Sequence, residues 1–344
     1  MTHRVRRVLP FLMIGLFLSA SAVASTITIN PGAGLAANPA ALAAFNRAAA
    51  SWGSLFTDPI TVTINADLAV LGPGILGQSS SVTLLGAYST IRDQMVADAA
   101  DEPGNNIVGY LPTAAQVSAY VPAGWGLSAN MYATKANLKA LGFAGLDAAF
   151  GLTDATIQFN SAFNFDYNNS DGVTAGYYDF ETVAAHEIGH ALGFVSAVDM
   201  VDYYLALGRA INIPFYPLDL FRFGPNNPST AAEFTTFPRS LLTGAFGSFG
   251  VSYFDDLYNE WAFSTGAYTG DGRQASHWKD DNLTGFRIGM MDPTLGAGVA
   301  WSISAADLRA LDVIGWDPVP EPATLLLMGT GLIAVLARTR LKKK

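Results

Sequence analysis

From Val183 to Leu192 the only ionisable side chains are His186, Glu187 and His190, in the order His-Glu-Ile-Gly-His. The segment Asp179–Leu192 reads as a helix: Phe180, Val183, Ala184, Ile188, Ala191 and Leu192 supply buried surface, and Gly193 takes the position after the last turn. Side chains four apart on a helix lie one above the other, so both imidazoles point the same way and can share one metal ion. Glu187 is offset by one position, near that ion without being a ligand. A buried carboxylate with no partner is costly, so any fold of this chain must surround the helix with chemistry that uses it. Zinc lowers the pKa of a bound water and polarises a carbonyl, and Glu187 is placed to take the proton and pass it to a leaving amine. The expected reaction is hydrolysis of a peptide bond.

A catalytic zinc takes three protein ligands and keeps one position open. The chain has four histidines, and His3 lies in the leading segment, so His277 is the remaining imidazole. His277 is the favoured third ligand and Asp199, six residues past Gly193, its rival. A glutamate on a later helix is a weaker option, because the sequence after Gly193 offers no well-placed one.

The two ends read as addresses. Arg4, Arg6 and Arg7 precede the apolar run Val8 to Leu18, and Ala22-Val23-Ala24 suits a signal peptidase, so residues 1–24 are expected to be a secretory signal. At the other end Pro318-Val319-Pro320-Glu321-Pro322 leads into fifteen residues without charge, Ala323 to Ala337, and then into Arg338, Arg340, Lys342, Lys343 and Lys344. Fifteen helical residues span about 23 Å against a hydrocarbon core of about 30 Å, a marginal crossing with its basic end cytoplasmic. This order resembles the PEP-CTERM sorting signal of Gram-negative bacteria, which implies an exosortase-type partner and a transient inner-membrane association. An ordinary C-terminal anchor is the alternative. Either way the body is exported to the envelope or the cell exterior.

Residues 25–318 hold eleven basic and twenty-seven acidic residues, a net charge of −16, which argues against nucleic-acid binding. Cysteine is absent, so no disulfide or thiol chemistry is available. Asn38 and Pro39 open a helix that Gly53 stops. Ile60, Val62 and Ile64 alternate with polar neighbours as in a half-buried strand, and Thr156–Phe159 repeats the pattern. That second strand is the candidate edge for pairing with an extended substrate, or else simply structural. The loop Asp166–Gly172 is read as an Asx-rich turn in preference to a calcium loop. Ser304 and Asp307 form a capping-box pattern ahead of a last helix to Ile314. The expected class is α+β, with a twisted mixed sheet and the active-site helix in an N-terminal part, residues 25–193. A less regular C-terminal part, 194–317, and the sorting segment, 318–344, follow.

His186-Glu187-x-x-His190-x-x-Gly193 resembles the opening of the metzincin zinc proteases. Compact members place a third histidine where this chain has Ser196. The sequence instead resembles the leishmanolysin branch, in which an insertion separates the glycine from a distal histidine shortly before a methionine turn. Ser276-His277-Trp278-Lys279 and Met290-Met291-Asp292-Pro293 correspond to that close. The resemblance implies a zincin-type fold, His277 as third ligand, and Met291, or less readily Met290, as the floor of the zinc site. The disulfides of that branch are missing. An exported zinc endopeptidase acting on protein or peptide substrates is therefore expected. The alternative is a non-catalytic surface or matrix protein retaining a structural zinc; a zinc hydrolase of non-peptide amides is a third reading.

Overall fold

The computed structural model describes residues 24–102, 104–224, 226–244 and 252–320. The expected signal segment, apart from Ala24, and the apolar run Ala323 to Ala337 lie outside the described residues. Among those described, no helix is long and apolar enough to cross a membrane.

The principal elements in chain order are β1 (Thr26–Pro31), α1 (Pro39–Gly53), β2 (Thr61–Ala69), β3 (Gly77–Ser81), β4 (Thr83–Ala87) and α2 (Tyr88–Asp98). They continue with β5 (Gly126–Thr134), β6 (Ala155–Asn160), α3 (Phe180–Leu192), α4 (Val198–Ala206), β7 (Asn212–Phe215), β8 (Arg222–Phe223), β9 (Ser252–Asp255), β10 (Glu260–Phe263) and α5 (Ala305–Asp312). The fold is α+β with mixed sheets.

The first sheet has the order β1-β2-β6-β3, with β1, β2 and β6 parallel and β3 antiparallel to β6. Val62 and Ile64 of β2 are fully buried while Thr61 is exposed, as the period-2 pattern requires. Asn38 caps α1 by accepting the Ala41 amide, and the helix buries Ala41, Phe45, Ala49 and Trp52. Its Phe45 ring meets Phe159 of β6 at 5.1 Å, and Phe159 meets Phe180 of α3 at 4.4 Å. Trp52 Nε1 donates to the Ala185 carbonyl at 2.8 Å, so α1 and α3 are locked together at one register.

This sheet corrects one expectation. Thr156–Phe159 lies in β6, paired on one side with β2 and on the other with β3, so both rows of its backbone groups are occupied. The edge strands are β1 and β3, and β3 is the one packed against α3.

The second sheet, β7-β5-β4, joins chain from both sides of Gly193, since β7 runs parallel to β5. The third is an antiparallel β8-β9-β10 unit. Residues 194–276, which show only weak periodicity in sequence, thus contain two α-helices and five strands among the described residues. In the loop 166–172, Asp166 accepts the amides of Asn168 at 2.9 Å and Thr174 at 2.8 Å and the Thr174 hydroxyl at 2.6 Å. Its oxygens serve the loop's own donors, the Asx-turn reading.

Candidate metal centre

Asp179 caps α3 by accepting the Thr182 amide at 3.0 Å, and Gly193, at φ 127°, turns the chain out after Leu192. Between these ends the helix buries one face on α1 and the sheet and presents His186 and His190, both half-buried, to a cleft of about 860 Å³. His277 arrives from the loop after β10 and is 6% exposed. The three Nε2 atoms form a triangle: 3.0 Å between His186 and His277, and 3.2 Å from His190 to each of the others.

The opposite ring nitrogens decide what that triangle is. His186 Nδ1 lies 2.9 Å from the Met290 carbonyl, His190 Nδ1 2.8 Å from that of Phe194, and His277 Nδ1 3.1 Å from that of Gln274. A carbonyl only accepts, so each Nδ1 carries the proton and each Nε2 is left with a lone pair. Three acceptors therefore converge with no donor among them, an arrangement that fits a cation. An ion about 2.0–2.1 Å from each nitrogen fits this triangle with ligand angles of about 100°, near tetrahedral. Burial lowers all three imidazole pKa values, His190 to about 3 with help from His186, and His277 well below the usual range with help from His190 and His186. They are neutral, as ligands must be.

A pH dependence follows. The unfolded chain protonates these rings below about 6.5 and the folded one does not, so the unfolded state binds more protons there. For the metal-stripped protein, the stability contributed by the trio is complete above about pH 6.5 and declines as pH falls toward about 3, where His190 titrates. Glu187 titrates across the same interval with the opposite sign, so in a Glu187→Gln background urea midpoints at pH 7 and pH 5 should differ, and much less with the three histidines also replaced by glutamine.

Glu187 lies beside the triangle, 5% exposed, with no hydrogen-bonding partner among the described residues. Burial pushes its carboxyl up to about 8. A β-carbon on Gly77 would come within 2.8 Å of Glu187 Oε1, so a glycine is what lets the edge strand β3 pass against this carboxylate. Beneath the helix, a β-carbon on Gly189 would overlap Met291 Sδ, and Met291 is fully buried. Met291 thus packs directly against α3 at Gly189, next to His190, and Met290 holds His186 through its carbonyl.

Asp199, the rival ligand, lines the same cleft but is not part of the triangle. Its oxygens accept the amides of Ala275 at 2.5 Å and Ser276 at 3.0 Å and the Ser276 hydroxyl. From the first turn of α4 it fixes the loop that carries His277. Arg222, fully buried, holds the Ala275 carbonyl from the other side at 3.2 Å. Ser196, at the position of the missing compact-type histidine, donates its hydroxyl to Asp219 at 2.6 Å.

Asp307 has a reach that its capping box did not reveal. Besides the Ser304 amide and hydroxyl, it accepts Trp278 Nε1 at 2.8 Å and the amides of Met290 at 2.6 Å and Met291 at 3.2 Å. One buried carboxylate thus ties α5 to the methionine turn and to the neighbour of His277. Asp307→Ala would strand these donors, and a loss of about 3 kcal/mol in urea unfolding is expected. A loss under about 1 kcal/mol would show that the donors find other acceptors.

Residues 318–341 match the PEP-CTERM protein-sorting motif. The C-terminal segment is a sorting signal. It implies recognition by an exosortase-type enzyme and export to the envelope or surface of a Gram-negative cell. No curated protein and no solved structure matches the chain.

Proposed function

We propose that the exported body is a zinc-dependent endopeptidase of metzincin type. The observation that carries this reading is the convergence of three Nε2 lone pairs within 3.2 Å of one another, each fixed by a carbonyl behind the ring. His186, His190 and His277 would hold the ion, which when bound would polarise a substrate carbonyl and acidify water. Glu187 would accept the proton and return it to the leaving amine. The open edge of β3 lines the same cleft and offers unpaired backbone groups to an extended peptide. Gly77 sets how closely that strand approaches Glu187.

Metal analysis of the purified protein, with casein or gelatin digestion by wild type and by Glu187→Ala, tests the proposal. One equivalent of zinc and digestion by the wild type alone are expected. Zinc with equal, negligible digestion in both proteins would favour a structural metal in a non-catalytic surface protein.

A further inference from the structure

The sorting motif begins at Pro318, and Pro318 is already part of the folded body. It forms an antiparallel bridge with Phe56, flanked by hydrogen bonds from Thr57 N to the Asp317 carbonyl and from Val319 N to the Leu55 carbonyl, each 2.8 Å. The Asp317 amide also donates to Asp58 Oδ2 at 3.0 Å. Across the same segment, Ser25 N donates to the Phe56 carbonyl at 3.1 Å. The chain on both sides of the body, just past Ala24 and just before Pro320, is therefore held on residues 55–58, and the sorting segment leaves without a linker.

We propose that Asp317–Val319, which includes the motif's own first two residues, is a strap that folding pins to residues 55–58 through its backbone while the Val319 side chain stays 41% exposed, so that the sorting enzyme engages the motif only after the strap opens. The strap takes no part in bond cleavage. Its opening is local because the residue before it is an anchor: Trp316 is fully buried, lies tilted against Phe56 at 5.1 Å, and donates Nε1 to the Leu192 carbonyl at 2.9 Å. Release can stop at Trp316 and leave α3 undisturbed. Acidic side chains crowd the same end: oxygens of Asp317, Asp98 and Glu102 all lie within 4.8 Å of one another, burial pushes the Asp98 carboxyl up to about 7 and that of Glu102 up to about 9, and Glu102 shares a hydrogen bond with Asp317. Held by few backbone bonds, the strap is a low-stability end of the fold.

The test follows conversion of the full-length precursor by pulse-chase in a host that carries the sorting enzyme. Leu55 and Val319 face each other across the bridge, and the chain has no cysteine of its own. The double variant Leu55→Cys with Val319→Cys, oxidised, should convert at least about tenfold more slowly than wild type and recover on reduction. Conversion of the locked chain at the wild-type rate would overturn the proposal. Asp58→Ala removes the acceptor of the Asp317 amide and should speed conversion about fivefold; an unchanged rate counts against the strap. In the locked chain, a second Pro-Val placed behind a Gly-Ser spacer after Val319 presents a free copy of the motif's start. Restored conversion is expected, and continued failure would mean that the block is not sequestration.

Discussion

Glu187→Ala is expected to lower peptide hydrolysis by about 10²–10⁴-fold while leaving the metal content of the protein unchanged. The two halves of that result come from two features of the site. Glu187 is outside the nitrogen triangle, so its removal takes nothing from the metal. It is also the buried carboxylate next to that triangle, and burial alone pushes it up to about 8. A cation bound between the histidines would favour the ionised form and, on the proposed reading, bring the group into use as a base near neutral pH. In the metal-stripped protein the same burial is a cost. The folded state keeps the proton up to about 8 whereas the unfolded state loses it at about 4.5, so stability declines as pH rises through that window. Glu187→Gln should remove that decline along with the activity, and urea midpoints at pH 5 and pH 8 would show it. Loss of zinc from Glu187→Ala, or an active Glu187→Ala enzyme, would be incompatible with the proposed role.

How far the site can be read from sequence depends on whether each part is local. The helix α3 is legible because cap, apolar face and glycine stop lie within fifteen residues, Asp179 to Gly193. The nomination of His277 rests on the histidine count and on the family resemblance, and the structure brings that ring to the other two. The edge strand β3 is not legible. Gly77-Gln78-Ser79-Ser80-Ser81 has no apolar residue, and what makes it a strand is pairing with β6, about eighty positions away. Only β6 carries a clean alternating pattern, and an alternating pattern does not distinguish an inner strand from an edge. Asp199 and Asp307 fail differently: each is a carboxylate with a plausible local role, and their real partners, Ser276 and the methionine turn, are reached only through tertiary structure. Ser276, adjacent to His277, is the one hint in sequence that the third-ligand loop needs a hydrogen-bonded anchor.

His277→Ala is expected to weaken zinc binding by more than the about 10–100-fold that a supporting residue carries, and to abolish hydrolysis with it. Asp199→Asn is expected to fall within that 10–100-fold range, and excess zinc should restore most of its activity but none in His277→Ala. The difference arises because His277 supplies one of three converging lone pairs, whereas Asp199 supplies the shape of the loop behind it. An asparagine keeps one acceptor for Ala275 or Ser276 but loses the charge that faces the buried Arg222. Competition with a chelator of known affinity, read in parallel with hydrolysis, separates the two roles. Tight zinc in His277→Ala with zinc lost beyond rescue in Asp199→Asn would reverse the assignment. A ligand so far along the chain from His190 carries little penalty, since each doubling of a connection costs only about 0.6 kcal/mol in closure entropy. What distance does not supply is precision, and here Asp199 and Arg222 provide it by gripping the amide and the carbonyl of Ala275, two residues before the ring.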